Sequence, residues 1–272
     1  MTEPTPIAIV GAAGRMGTSL LEEAARRPDL RVVAAVVTPE WTGPDHLGPD
    51  QVPVFRSIPD LDEAAPRVVI DFTSPAAAIQ VARFCAGTHR ALVSGTTGLD
   101  DADLQELRRC AASAPTVWAS NFSVGVNLLE ALVEQATAAF GPEAEVEIFE
   151  AHHRHKVDAP SGTALTLGHA VARARGTSLE SIARFTHQGH AGPRDPAEVG
   201  FQVLRGGDIV GEHSVWFCAH GERLELSHRA TDRGIFARGA LRAARWAASA
   251  SPGFYSMRDV LSGPSTPAPA SS

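Results

Sequence analysis

Short apolar runs separated by amphipathic, helix-length segments set the rhythm of the first 120 residues. Ile7-Ala8-Ile9-Val10 reads as a buried strand. It leads into Gly11-Ala12-Ala13-Gly14-Arg15-Met16-Gly17 and a helix carrying Met16, Leu20, Leu21 and Ala24, which stops before Pro28. Arg31 to Val37, Val68 to Phe72, Ala91 to Ser94 and Thr116 to Ala119 continue the series of strands. Apolar runs this short, alternating with helical patterns, predict a parallel sheet covered on both faces. The expected fold class is therefore α/β, a doubly wound, mostly parallel, Rossmann-like sheet whose ligand crevice lies at the carboxyl ends of its strands.

After about residue 125 the pattern changes. Val126, Leu129, Val133, Ala136 and Phe140 step by three and four, one apolar helical stripe ending at Gly141-Pro142. Glu145 to Glu150 reads as a strand, a helix follows from about Thr163, and residues 199–228 read as strands with hairpin turns. This predicts a second, α+β domain with an open, mostly antiparallel sheet. Ala237 to Ala248, alanine-rich with arginines, predicts a further helix. The expected division is 1–124 for the first domain, 125–235 for the second, 236–262 for a C-terminal helical segment and 263–272 for a loose Gly/Pro/Ser/Ala tail.

Composition narrows the function classes. With 272 residues, 44% of them hydrophobic and 20% charged, the chain can bury a substantial core, which excludes disordered and collagenous classes. No apolar run approaches the roughly 20 residues that cross a bilayer, and no secretory signal is visible at the N-terminus. The net charge of −7, from 24 Lys+Arg against 31 Asp+Glu, disfavours nucleic acid and anionic membranes as partners. Any anionic ligand must meet a local positive site. Three widely spaced cysteines, Cys85, Cys110 and Cys218, read as reduced thiols of a cytoplasmic protein.

Two segments carry candidate chemistry. Gly11, Gly14 and Gly17 fall where a strand turns into a helix, a place where free backbone N–H groups accept phosphate oxygens and glycine lets the main chain come close. The spacing is G-x-x-G-x-x-G, with Ala13 in place of the middle glycine of the usual G-x-G-x-x-G. A tight turn with no ligand is the competing reading. The second strand ends in Val37-Thr38-Pro39, with no carboxylate before Glu40 to grip a ribose. That absence, with Arg15 in the loop, leaves room for a 2′-phosphate and leans the cofactor towards NADPH over NADH.

The second segment is Glu150-Ala151-His152-His153-Arg154-His155-Lys156-Val157-Asp158-Ala159-Pro160-Ser161-Gly162-Thr163-Ala164. It ends in a helix-start signal. The N–H groups and hydroxyls of Ser161, Gly162 and Thr163 form a cradle for a carboxylate. Lys156 offers a countercharge or a proton, and a histidine exchanges protons near neutral pH. Together they suit a small dianionic substrate whose reduction needs a proton. Three other readings stay open: His152, His153 and His155 as metal ligands, the run as a solvated basic loop, and Ser161 as a helix cap. No metal site is expected, because no second Cys or carboxylate cluster has ligand spacing. His187, His190, His213, His220 and His228 read as structural or surface groups.

At this point the residues resemble a known family, the 4-hydroxy-tetrahydrodipicolinate (dihydrodipicolinate) reductases of the diaminopimelate route to lysine. The resemblance rests on Gly11 to Gly17, on Gly95-Thr96-Thr97-Gly98, on Ala119-Ser120-Asn121-Phe122-Ser123-Val124-Gly125 and on Glu150 to Ala164. It continues through Gly207-Asp208-Ile209-Val210-Gly211-Glu212-His213. It implies an N-terminal dinucleotide-binding domain completed by the C-terminal helix, and a central substrate domain whose open sheet assembles a homotetramer. It implies reduction of a cyclic imine dicarboxylate with NADH or NADPH. His152 would be the acid/base group and Lys156 its partner. His153 with Ser161, Gly162 and Thr163 would hold the substrate carboxylates. Gly11, Ala12, Ala13, Gly14, Arg15 and Met16 would bind the pyrophosphate side, with Thr38 at the end of the second strand. Phe72, Thr73, Gly95, Thr96, Thr97, Ala119, Ser120, Asn121 and Phe122 would line the dinucleotide. Cofactor and acid would sit on different domains, so closure is expected to bring them together. The chain departs from the family at Thr38-Pro39, where many members carry an acid.

Besides a distant metal-dependent hydrolase, two alternatives remain at the level of sequence. One is a paralogue reducing a different cyclic imine or enone acid. The other is a dinucleotide-binding redox sensor without turnover, against which the His152/Lys156 pair argues.

Overall fold

The structure is a computed structural model that describes residues 3–185, 188–190 and 192–263. His187, and all of the expected loose tail except Gly263, lie outside the described residues. Described residues up to Val124, together with those from Gly234 onward, form one compact unit; Gly125–Arg233 form the other.

The first stretch runs β1 (Thr5–Val10), α1 (Arg15–Ala24), β2 (Leu30–Val36), β3 (His46–Leu47), β4 (Val52–Phe55), α2 (Leu61–Ala64), β5 (Val68–Asp71), α3 (Pro75–Thr88), β6 (Ala91–Ser94), α4 (Asp101–Ala111) and β7 (Pro115–Trp118). The second unit holds most of α5 (Val124–Phe140), then β8 (Glu145–His152), α6 (Gly162–Ala174), α7 (Leu179–Ile182), β9 (Ala183–Arg184), β10 (Val199–Arg205), β11 (Gly211–Ala219) and β12 (Glu222–Ala230). The chain then supplies α8 (Gly234–Ala247), β13 (Gly253–Tyr255) and α9 (Met257–Leu261) to the first unit.

The first sheet has the order β13-β7-β6-β5-β1-β2-β4-β3, parallel except for the short β3–β4 pair. Period-two alternation decides which side chains meet which helices. Ile7, Ile9, Val68, Ile70, Val93 and Val117 pack on one face with Leu20, Leu21 and Ala24 of α1 and the alanines of α8. Ala8, Val10, Val36, Val69 and Leu92 pack on the other with Val81, Ala82 and Cys85 of α3 and Leu107 of α4. The alanine-rich composition of α8 allows close approach: Ala237, Ala240, Ala243 and Ala244 are fully buried, and a Cβ on Gly239 would lie 1.8 Å from the Phe122 carbonyl oxygen.

The second sheet, β12-β11-β8-β10-β9, is mixed. β11 pairs antiparallel with β8 and β12, as the hairpin pattern predicts. β10 instead runs parallel to β8, because the long crossover through α6 returns the chain to the same end of the sheet. Val146, Ile148, Val215 and Phe217 face a core with Leu129 and Val133 of α5 and Leu167, Ala170 and Val171 of α6. Glu150 and His152 continue the inward side of β8, and Arg205 and His213 occupy the same side of β10 and β11. Four polar side chains are thus delivered to one spot where the apolar cover ends.

Candidate active site

The glycine turn of the first unit is tightly packed and yet presents main chain to solvent. Gly11 has φ +81°, and a Cβ there would lie 2.6 Å from the Phe72 carbonyl oxygen. A Cβ on Gly17 would lie 2.3 Å from the carbonyl oxygen of Gly11. α1 has Gly14 as its N-cap residue, with no side-chain cap and no acid in its first turn, so its N-terminus keeps an uncompensated positive end. Ala12 is buried beneath the turn; Ala13, Gly14 and Arg15 are exposed, and Met16 is half-buried. A cleft of about 410 Å³ beside the turn is lined by Ala12, Ala13, Thr18, Glu22, Trp41 and Gly48, among others. Thr38, exposed after β2, does not line it.

Buried Asp71, at the end of β5, ties the neighbouring loops together. It accepts hydrogen bonds from the hydroxyls of Thr73, Ser94 (2.7 Å) and Thr96 (2.8 Å). Burial pushes its carboxyl pKa up against the pull of those hydroxyls. The Thr73 amide donates to Thr96 Oγ1 (2.9 Å), and Trp118 Nε1 donates to the Thr96 carbonyl (3.1 Å). The Phe72 ring lies where a Cβ on Gly95 would be and meets Phe122 edge-on at 5.6 Å. The Asn121 side chain accepts from the Ser123 amide (2.8 Å). Of the expected dinucleotide residues, Phe72, Thr73, Gly95, Thr96 and Phe122 are thereby brought together beside Gly11. Exposed Thr97 and Ser120 make no contact with them that the structure defines, and Ala119 follows β7 with its amide on the Ser94 carbonyl (3.3 Å).

In the second unit, His152 ends β8 with its ring Nδ1 2.6 Å from Glu150 Oε2. Glu150 is buried, and its other contacts are Arg205, at 2.7 Å to each oxygen, and the Ser161 amide at 2.9 Å. Burial raises the Glu150 pKa, but those hydrogen bonds outweigh it and hold the carboxyl below its usual value. Ser161 caps α6 by accepting from the Ala164 amide (3.2 Å) and lies 2.9 Å from His213 Nε2. Gly162 and Thr163 form the first turn of α6, whose amides point out of the helix. Ser161 is therefore a helix cap, a role compatible with an anion at the same helix start.

His153 lies 3.2 Å from Arg233 Nη2 through its Nε2. Burial, and then the adjacent Arg233 charge, hold its pKa below the ordinary imidazole value. Because arginine must donate in that contact, the neutral ring carries its proton on Nδ1. That atom is buried and has no hydrogen-bond partner among the described residues. Lys156 Nζ is 2.8 Å from both carboxylate oxygens of Asp158, and this bond holds the Asp158 pKa down. Among the described residues, no group of three or more His, Cys, Asp or Glu is arranged to hold a metal ion.

His213 is buried between Ser161 and the edge of the His152 ring, whose centroid is 5.2 Å away. Burial first, and the His152 charge second, push its pKa down to about 4 from 6.5. Between those values the unfolded chain binds a proton that the native chain does not. This stability is therefore complete above pH 6.5 and is lost as pH falls towards 4. His213→Asn is expected to flatten the slope of stability against pH in that window by up to about one proton, read from urea midpoints at a series of pH values. Parallel curves for the two proteins would assign that titration elsewhere.

Arg205, Arg233 and the orienting role of Glu150 were not legible as site features. Glu150 stands two residues before His152, but alternation along a strand is its only signal. Arg205 reaches it only through the β8–β10 register.

A glycine turn with an open helix terminus can take a dinucleotide, and an imidazole held beside the start of a helix can exchange protons near neutral pH. The class these features define is that of the dinucleotide-dependent oxidoreductases. Comparison narrows it: residues 5–122 match the family model described as dihydrodipicolinate reductase, N-terminus, and residues 125–261 that of the same reductase's C-terminus. The chain belongs to the dihydrodipicolinate reductase family. It is 48% identical over 265 residues to a 4-hydroxy-tetrahydrodipicolinate reductase of Halorhodospira halophila, spanning 94% of this chain and 98% of the relative. It is 45% identical to one of Acinetobacter baumannii, spanning 96% and 97%. In fold it is similar to a dipicolinate-bound dihydrodipicolinate reductase from Paenisporosarcina sp. TG-14, with a TM-score of 0.78, 23% identity and coverage of 93% and 97%.

Proposed function

We infer that this chain catalyses the NAD(P)H-dependent reduction of 4-hydroxy-tetrahydrodipicolinate to tetrahydrodipicolinate on the diaminopimelate route to lysine. Family membership and relatives of that name matching nearly end to end support the reaction. The observation that carries the residue roles is the cluster in the second unit: a clamped His152, the start of α6, and a buried, unpartnered His153 Nδ1–H next to Arg233.

The glycine turn fits a pyridine dinucleotide, because its main chain is exposed at Ala13 and Gly14 and α1 opens without a cap. Gly11 to Met16 take the pyrophosphate side. Phe72, Thr73, Gly95 to Thr97 and Ala119 to Phe122 line the rest. When bound, the dihydronicotinamide supplies the hydride.

The chain's own residues handle charge and proton. One substrate carboxylate is received by Ser161, Gly162 and Thr163 at the α6 N-terminus, where amides and helix dipole favour an anion. His153 gives the second a hydrogen bond from Nδ1, with Arg233 beside it for charge. Lys156 adds a further ammonium. Once the 4-hydroxyl has left as water, hydride addition to the conjugated C=C–C=N system leaves an electron-rich enamine carbon. His152 then gives that carbon a proton, with Lys156 as its partner in proton donation. Purified full-length protein is expected to oxidise NADPH with enzymatically generated 4-hydroxy-tetrahydrodipicolinate. Oxidation only with a different cyclic imine or enone acid would overturn the substrate assignment, and tight cofactor binding with no turnover would overturn the enzyme reading.

The nucleotide is NADPH on this reading, because β2 is followed by Thr38-Pro39 without an acid and Arg15 projects exposed from the turn. Arg15→Ala is expected to raise KM for NADPH by about 10-fold or more, the scale of a charged hydrogen bond, and to change KM for NADH less than threefold. Equal losses would detach Arg15 from the 2′-phosphate.

The chain also assembles as a homotetramer on this reading. The face of the second sheet away from α5 and α6 carries Phe149 against Trp216, ring centroids 4.5 Å apart, and exposed Leu204. These apolar side chains share the face with polar ones, among them Gln202, Ser214, Glu225 and Ser227, and burying them against a second copy favours assembly. Light scattering of the purified protein is expected to give four times the chain mass; a monomer at micromolar concentration would refute it.

A further inference from the structure

Resting on the reductase reading, we propose that Glu150 and Arg205 are a positioning pair that commits His152 to work through Nε2. Each oxygen of Glu150 has two donors. Oε2 faces His152 Nδ1 (2.6 Å) and Arg205 Nη1 (2.7 Å), and Oε1 faces Arg205 Nη2 (2.7 Å) and the Ser161 amide (2.9 Å). An ionised carboxylate has about four lone-pair sites, so this one is filled on every side and cannot turn. It therefore accepts from Nδ1 and fixes the proton there. The neutral His152 ring then has its lone pair on Nε2, and the protonated ring has Nε2–H as the proton not already engaged by Glu150.

Two neighbours keep that nitrogen usable. A Cβ on Gly211 would come 3.0 Å from His152 Nε2, so glycine on β11 leaves the nitrogen clear. The His213 ring packs against His152 at 72°, limiting rotation of the imidazole. Arg205 does a second job: its Nη2 donates to the Asp158 carbonyl at 2.7 Å. The same guanidinium thus ties the carboxylate behind His152 to the loop that carries Lys156. Since Glu150 also holds the Ser161 amide, one buried carboxylate joins the proton donor, the ammonium loop and the start of α6. The pair came together through register alone, since Arg205 lies opposite His152 on the parallel strand.

The test uses Glu150→Gln in the full-length protein. An amide cannot satisfy the same set, because in either orientation its NH₂ meets an Arg205 N–H. Nitrogen-15 spectra of histidine-labelled wild-type protein, with His152 assigned by its loss in His152→Gln, are expected to show the Nδ1–H tautomer. Glu150→Gln is expected to shift it towards Nε2–H. In the same variant kcat falls on the order of 10²-fold, the scale of lost orienting partners, while KM for the dinucleotide stays within about twofold and the pH profile of kcat moves. The groups facing His152 in that profile are Glu150, Arg205, His213, His153 and Lys156. Glu150→Asp, which keeps the charge, should recover part of kcat. Arg205→Lys, which keeps a cation but not the fork, should lose about 10-fold and serves if Glu150→Gln does not fold. An Nε2–H tautomer in the wild type, or a folded Glu150→Gln or Arg205→Lys with unchanged kcat and pH profile, would overturn the pairing. Failure of wild-type turnover would instead strike the reductase reading, and the spectra would still decide the tautomer.

Discussion

His152→Gln is expected to lower kcat by about 10²–10⁴-fold, the range for loss of a positioned general acid, while the Kd for NADPH stays within about twofold. Lys156→Ala is expected to fall in the same range. The split follows from where the residues lie. Both are on the unit spanning Gly125–Arg233, whereas the glycine turn and the loops around Asp71 belong to the other unit. Glutamine keeps the size and polarity of the imidazole and can still meet Glu150, so a folded variant is expected; what it lacks is a proton exchangeable near neutral pH. Lys156 is held through its Nζ by Asp158, at 2.8 Å to each oxygen, and this arrangement presents a fixed ammonium. Steady-state rates with the lysine-pathway substrate, alongside nucleotide titration by fluorescence, separate the two effects. Near-normal turnover in both variants, or equal losses of rate and nucleotide affinity, would remove these residues from the proton-transfer role.

The α/β class was legible because the relevant strands are buried on both faces. Ile7 to Val10 and Val68 to Ile70 have nowhere polar to point, so the sequence shows them as unbroken apolar runs. β3 and β13 escaped notice for the opposite reason: His46–Leu47 and Gly253–Tyr255 are short edge strands whose side chains are exposed or half-buried, so no alternation marks them. The parallel entry of β10 was hidden as well. Strand direction is set by where α6 returns the chain, and Val199 to Arg205 alternates the same way whichever neighbour it has.

The candidate site divides along the same line between local and distant information. Ser161, Gly162 and Thr163 announce a helix start within four residues, and the helix begins there. The charge-dense run from His152 to Lys156 likewise shows itself. What orders these groups comes from afar: Arg205 is 55 residues from Glu150, His213 is 52 from Ser161, and Arg233 is 80 from His153. Asp71 carries the same lesson. Its three hydroxyl partners come from the two adjacent strand ends, and in the sequence it is one acid at the end of an apolar run.

Gly17→Ala is expected to destabilise the protein by about 3 kcal/mol, at the upper end of overpacking costs, and to weaken NADPH on the order of 10²-fold. Helix propensity alone would favour alanine here, since glycine in a helix interior is the worse residue by about 1 kcal/mol. Space decides otherwise. The added methyl would lie 2.3 Å from the Gly11 carbonyl oxygen and 2.5 Å from both Cα and O of Ala12. All three are backbone atoms, so no side chain can swing aside. Either α1 lifts from the turn, pulling buried Leu20, Leu21 and Ala24 out of register with their core, or the turn itself deforms. Both outcomes displace the amides proposed to receive the pyrophosphate. The melting temperature should drop by roughly 6–12 °C at about 2–4 °C per kcal/mol for a chain of this size. Gly14→Ala is the control: its Cβ would meet only the Gly11 carbonyl oxygen, at 3.2 Å, and Gly14 is exposed. Stability there should change by less than about 1 kcal/mol. If Gly17→Ala melts with the wild type and binds NADPH equally well, close packing of α1 on the turn is not what shapes the nucleotide site.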